Sequence, residues 1–156
     1  MAGLIRWTRS RFEELTTEEL YRILDLRQRV FVVEQRCPYL DTDGRDPFSQ
    51  HLCGWDEARE LRAYLRIVQP GKRFVEPSIG RVATEPSVRR QGLGKELMRR
   101  GMAWCAELYP GLPVRISAQQ YLERFYADLG FVTDPALAPY DDDGIIHVEM
   151  TFRPGT

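Results

Sequence analysis

The chain has 156 residues, 43% of them hydrophobic and 29% charged, with a formal net charge of −1. That is one ordinary domain with enough apolar residues for a packed core, which excludes a disordered chain. The balanced charge excludes a general nucleic-acid binder, which carries a basic excess, and no apolar run is long enough to span a bilayer.

The opening "MAGLIRWTRSRFEEL" lacks the apolar centre of a signal peptide, and "LIRW" within it reads as a short strand. Thr16 and Glu19 have the spacing of a capping box. Leu20, Ile23, Leu24, Arg27, Val30 and Phe31 then follow helical spacing, and the apolar members form one buried stripe. "HLCGWD" and "LRAYLRIV" read as strands around a charged turn, followed by a loop over 66–78 and a strand "SIGRVATE" that Pro86 ends. Gly92 to Leu108 reads as a helix with Leu93, Leu97, Trp104 and Leu108 near one face. "VRISAQ" is a strand, "QYLERFYADLG" a helix closed by Gly130, residues 133–144 a loop, and "IIHVEMTF" a last strand. The order β-α-β-β-β-α-β-α-β predicts an α/β domain with a mixed sheet.

Cys37, Cys53 and Cys105 are odd in number and scattered, so no disulfide framework is expected and a reducing cytoplasm is the simplest setting. His51 and Cys53 are too few for a tetrahedral metal site. "DTDGRD" places Gly44 fourth, and Leu52 twelfth, from Asp41, which fails the spacing of a calcium loop. No metal is expected.

The segment "RRQGLGKEL", at a strand-to-helix junction, carries the chemistry. A P-loop needs glycine where Arg89 stands and Ser or Thr where Glu96 stands, and a dinucleotide fingerprint needs a third glycine where Leu97 stands. Both fail. What remains is a pyrophosphate cradle: glycines without Cβ at a helix N-terminus, whose unpaired N–H groups and partial positive charge favour an anion.

"VATEPSVRRQGLGKELM" resembles the coenzyme A signature of the GNAT superfamily of N-acetyltransferases, with Arg89, Gly92 and Gly94 on its key positions. "FYADLGF" resembles the family's second motif, and "RVFVVEQRCPYLDTDGRD" and "DDDGIIHVEM" resemble its ElaA-type branch. The resemblance runs from about Leu26 to Phe152 and implies a single GNAT domain over residues 1–156. Two departures stand out: Arg90 where many relatives have glycine, and Gln119 where the family often has Asn.

The resemblance implies the acyl-CoA N-acyltransferase fold, a mixed twisted sheet in which the strand over 79–84 carries a bulge and splays from the parallel strand over 114–118. It implies acetyl-CoA as donor co-substrate, held by Val82, Ala83, Thr84, Arg89, Arg90, Gln91, Gly92, Leu93, Gly94, Lys95 and Gln119. A backbone N–H near Val82 would stabilise the oxyanion, a contribution of ~3–4 kcal/mol for one well-placed donor. Tyr126 is expected to protonate the departing thiolate. Glu34 is the first candidate for general base, ahead of His147 and His51, which read first as structural, and Phe31, Asp41, Asp43, Asp142 and His147 are expected around the acceptor. Asp41, Asp43 and Asp46, with Asp141, Asp142 and Asp143, would form a negative rim drawing a cationic amine. The expected acceptor is an amine, with neither nucleic acid nor membrane as partner. The family's dimers allow a homodimer, although no interface signal marks one. A non-catalytic acyl-CoA-binding regulator is the competing reading.

Overall fold

The first helix starts on the expected cap. The Glu19 N–H donates to Thr16 Oγ1 at 3.0 Å and the Thr16 N–H donates to Glu19 Oε1 at 2.8 Å, so two N–H groups that the helix leaves orphaned are satisfied reciprocally. In this computed structural model, which describes residues 3–155, α1 runs Thr17–Arg27 and widens into a π-helical stretch over Gln28–Glu34. Ile23 and Val30 are buried as the stripe predicts, Leu20, Leu24 and Phe31 are only partly buried, and Leu26, outside the stripe, is buried. Arg27, within the stripe, is buried as well.

Eight strands make one sheet: β1 (Arg6–Arg11), β2 (Ser49–Trp55), β3 (Leu61–Val68), β4 (Ser78–Thr84), β5 (Val114–Gln119), β6 (Val132–Thr133), β7 (Tyr140–Asp142) and β8 (Ile145–Phe152). The order is β1-β2-β3-β4-β5-β8-β6, with β7 also on β8, and only β4 and β5 pair in parallel. Successive side chains on a strand point to opposite faces. Leu52, Ala63, Leu65 and Ile67 accordingly join the core under α2 (Leu93–Leu108), while Cys53 and Tyr64 join the core under α1.

Three boundaries differ from the sequence reading. The first strand lies at Arg6–Arg11 rather than over Leu4–Trp7, because pairing with β2 continues through the polar residues to Arg11. The expected loop over 133–144 contains β7 and the second residue of β6, whose pairing is supplied by β8 and not by local propensity. The last helix is shorter than expected: a 3₁₀ turn over Gln120–Leu122 leads into α3 (Glu123–Ala127).

The centre of the sheet is irregular in two ways that matter. On β4, Ala83 pairs with Tyr64 and Gly80 with Arg66, so Arg81 and Val82 together face Leu65 alone. This is a β-bulge, and Arg81 sits in it at φ 50, a left-handed conformation costly for a residue with a side chain. β4 and β5 share a single register pair, Ser78 with Arg115, and then part.

The acidic loop after α1 does not form an open rim, which corrects the expectation for Asp41, Asp43 and Asp46. Their side chains are only 5%, 16% and 9% exposed. The Arg27 guanidinium donates to Asp41 Oδ2 at 2.6 Å and to Asp46 Oδ1 at 2.7 Å. Arg66 donates to Asp46 Oδ1 and to Asp43 Oδ1, each at 2.8 Å. Arg81 Nε lies 2.8 Å from Asp41 Oδ1. The periodicity that buries Arg27 and the strand position that buries Arg66 require these carboxylates, since a buried charge must be paired.

Burial alone would raise the Asp46 carboxyl, but the Arg27 and Arg66 guanidiniums win and hold it below the usual range. Burial likewise pushes the Asp43 carboxyl up, and Arg66 overcomes it and holds the group below the usual range. Both groups therefore stabilise the fold above the unfolded carboxylate pKa of about 3.9 and lose that contribution as pH falls through their lower folded values. Asp46→Asn should cost about 3–5 kcal/mol by urea unfolding, the range for stranding one side of a buried pair. It should also flatten the loss of stability below about pH 4, where the wild-type carboxylates protonate. The exposed pair Arg9–Glu107 is the comparison, and breaking it should cost under about 1 kcal/mol. Equal, small costs at both sites would show that burial adds nothing to the cluster.

Candidate active site

The splay and the bulge open one large cavity of about 1100 Å³, lined by both diverging strands. Ile79 to Thr84 form one wall and Ile116, Ser117 and Gln119 the other. Phe31 and Glu34 close it from the π-helical stretch, and Asp142, Asp143 and His147 from the β7–β8 hairpin. Cys37 lines it too, its Sγ 3.3 Å from the carbonyl of Asp143, so the loop after α1 and the hairpin meet over the cavity.

One end is the glycine segment. Gly92 caps α2 at φ 80, and a Cβ built there would meet nothing within 4 Å. Arg90 is also left-handed, at φ 65. The first turn of α2 thus presents bare backbone to open space. Arg90 and Lys95 line this end and pair with no described carboxylate. Arg89 is committed elsewhere: it grips Glu34 with both terminal nitrogens, at 2.6 and 2.8 Å, and its Nε donates to the Thr84 carbonyl at 3.2 Å. The Gln119 side-chain oxygen is buried without a hydrogen-bond partner. A phosphate-bearing, amide-containing group fits this end: anions at the bare N–H groups, an amide N–H at Gln119.

Tyr126 is buried on α3, packed edge-on against Phe125 and Phe131 at ring separations of 5.1 and 6.0 Å. Its hydroxyl has no hydrogen-bond partner among the described residues, and the residue lines the cavity. Burial, with a smaller contribution from Tyr121, pushes its pKa up to about 12, so the phenol stays protonated near neutrality.

Geometry separates the candidate bases. The Arg89 hydrogen bonds hold Glu34 ionised below the usual range, against the opposing effect of burial. A carboxylate so paired accepts a proton reluctantly. His147 Nδ1 lies 2.8 Å from the Ile145 carbonyl, which can only accept. In the neutral ring the proton therefore sits on Nδ1 and the lone pair on Nε2, and the residue lines the cavity. The ring also stacks on Tyr140 at 6.0 Å, and the Tyr140 hydroxyl bonds Ser117 across the diverging wall. His51 is spent within the core, on the Tyr64 hydroxyl at 2.7 Å and the Asp46 carbonyl at 3.0 Å.

A parallel pair that splays beside a bulge, with a glycine cradle at the mouth, is the arrangement the sequence resemblance implies. Residues 49–154 match the acetyltransferase (GNAT) domain family. This chain belongs to that family. A UPF0039 protein of Synechocystis is 44% identical over 96% of each chain. Protein ElaA of Escherichia coli is 38% identical over 94% of this chain and 95% of its own. Two crystal structures superpose closely: an acyl-CoA N-acyltransferase from Pseudomonas aeruginosa, with TM-score 0.90 at 39% identity over 96% of this chain and 99% of its own, and E. coli ElaA, with TM-score 0.89 at 36% identity over 96% and 100%.

The chain therefore has the GNAT fold and is an acyltransferase. Among the described residues no helix is long and apolar enough to cross a membrane. Nor does any group of three or more His, Cys, Asp or Glu there resemble a metal site. Arg73, Tyr140 and Ser117 line or shape the cavity of this GNAT domain but carry no motif, and sequence reasoning missed them.

Proposed function

We propose that the protein is an acetyl-CoA-dependent N-acetyltransferase that passes the acetyl group directly to a primary amine. The observation that carries this is the continuous cavity joining an open glycine cradle, through the β4 bulge, to an unpaired phenol and a bare imidazole nitrogen. Acetyl-CoA supplies an activated acyl group and a thiolate leaving group. The bulge takes Arg81 and Val82 out of regular pairing and frees backbone N–H groups to face a developing oxyanion. Gly92, Gly94, Arg90 and Lys95 hold the phosphates, Leu93 and Gln91 shape the turn, and Val82, Ala83, Thr84 and Gln119 line the arm.

Tyr126 donates to the departing sulfur. A lysine-like amine of pKa about 10.4 is mostly protonated at neutrality, so a proton acceptor is needed. His147 Nε2 takes that role in this reading, supported by the Arg89 hydrogen bonds that already occupy the Glu34 carboxylate ranked first from sequence. Glu34 instead holds Arg89 away from the cradle until phosphate competes for it. The regulator reading would leave Tyr126 and His147 without work.

Thiol release over an amine panel tests the transferase reading, and an absence of release with every amine would sink it. Two variants then divide the roles. His147→Gln should lower kcat about a hundredfold or more, the range for a general base. Glu34→Gln should leave kcat nearly unchanged and tighten acetyl-CoA binding severalfold by freeing Arg89. The reverse pattern would return the base role to Glu34.

A further inference from the structure

We propose that the acceptor carries a carboxylate besides its amine and that Arg73 binds that carboxylate; this rests on the N-acetyltransferase reading and names its substrate class.

Arg73 comes from the loop between β3 and β4 and lines the cavity at the end away from the cradle. β4 has seven residues, so at roughly 3.3 Å per residue its two ends lie about 20 Å apart. Arg73 precedes that strand and the cradle follows it. One guanidinium at the far end cannot serve the phosphates at the near end.

Arg73 forms no ion pair and no hydrogen bond with a described residue. The carboxylates that could have neutralised it are taken. Asp41, Asp43 and Asp46 are shared among Arg27, Arg45, Arg66 and Arg81. Three aspartates already face four arginines there, and Arg73 adds a fifth cation. Its half-buried position disfavours its charge, and the neighbouring Arg81, Arg45 and Arg66 guanidiniums add to the penalty and depress its pKa. Arg81, also in the cavity wall, is depressed by burial and by Arg66 in spite of Asp41. A carboxylate arriving between Arg73 and Arg81 relieves that penalty and gains a planar, bidentate partner.

The opposite side has the other sign. Asp142 and Asp143 line the cavity from the hairpin, and neither side chain is paired with a described cation. Tyr140, which feels both the Arg73 and the Asp142 charge, is stacked on His147. An ammonium group at Asp142 and a carboxylate at Arg73 would straddle the His147 imidazole, which takes the ammonium proton. A polyamine would place a second cation against Arg73 and is disfavoured. The shared chemistry is an aminocarboxylate, supplied either as a free amino acid or as the end of a short peptide.

The test is equilibrium titration of the CoA-saturated protein, which needs no turnover. The ligands are free amino acids, the matching amino acid amides and the decarboxylated amines, with a second arm of dipeptides bearing free or amidated C-termini. At least one free carboxylate should bind about tenfold to a hundredfold more tightly than its amide, as expected of hydrogen bonds to charged groups. The arm in which this occurs identifies the source. Arg73→Gln should erase the preference and Arg73→Lys should restore part of it. Unchanged CoA affinity shows that both variants are folded. If no carboxylate outbinds its amide, or if Arg73→Gln keeps the preference, the proposal fails. A carboxylate preference that Arg73→Gln erases, but with no thiol release from these ligands, overturns their assignment as acceptors, while release from other amines alone keeps the transferase reading.

Discussion

Gly92→Val loses coenzyme binding while the protein stays folded. The two effects separate because of where the residue sits. A Cβ at Gly92 meets no protein atom within 4 Å, so the new side chain would point into the space where phosphate is expected. Its cost to the fold is conformational: Gly92 is at φ 80, and a residue with a branched Cβ pays about 1–2 kcal/mol there. α2 tolerates that, because Leu93, Leu97, Met98, Trp104 and Cys105 anchor it in the core. Gly111 supplies the control. It has φ 78, open surroundings and no place in the cavity wall, so Gly111→Val carries similar strain without touching the cradle. The two variants should lose similar stability in thermal unfolding. Only Gly92→Val should weaken acetyl-CoA binding, by about a hundredfold or more, some 3 kcal/mol. Similar coenzyme affinity in the two variants would show that the phosphates lie elsewhere.

The elements that sequence placed well are those whose signal is local. Thr16 and Glu19 announce a cap whatever surrounds them, and Gly92 with Gly94 marks a backbone that something must approach. The bulge at Arg81 and Val82 came through family resemblance alone, since nothing in "SIGRVATE" shows that Leu65 will face two residues at once. β7 was hidden because its strand character comes from β8, a partner that follows it in the chain. Gly101 carried an unused signal. Glycine inside a helix costs about 1 kcal/mol relative to alanine, so its presence asks for a reason. The reason is contact: a Cβ there would lie 2.6 Å from a Leu65 methyl, so any larger residue would force Leu65 to shift where α2 packs on β3. The acidic loop misled for a different cause. Aspartates next to glycine read as solvated turns or as an electrostatic rim. Their arginine partners come from α1, β3 and β4, separated in sequence by up to 40 residues, as in the Arg81 contact to Asp41. Sign of charge is legible in sequence, but neutralisation is a property of the fold.

Tyr126→Phe keeps the fold and the coenzyme and loses turnover. The ring packs edge-on between Phe125 and Phe131, contacts that phenylalanine reproduces, and the hydroxyl gives up no hydrogen bond within the described protein. Stability should therefore move by less than about 0.5 kcal/mol, as for a substitution that breaks no buried partner. The size of the kinetic effect follows from the raised pKa. With the phenol pushed up to about 12, full transfer of its proton to a thiolate of ordinary pKa near 8.5 is uphill by roughly 5 kcal/mol. A hydrogen bond that strengthens as charge grows on sulfur is the more economical use of the group. Such a bond to a charged partner contributes about 1.5–3 kcal/mol, so kcat should fall roughly ten- to hundredfold with the acetyl-CoA dissociation constant unchanged. The same pKa sets the pH behaviour. Tyr126 remains protonated far above neutrality, so it imposes no basic limb on the rate below about pH 11, and wild type and variant should differ by a constant factor between pH 6 and 9. A ratio that changes across that window would mean the phenol ionises there and that burial does not control it. Full turnover in the variant at every pH would take Tyr126 out of the reaction and leave solvent to protonate the sulfur.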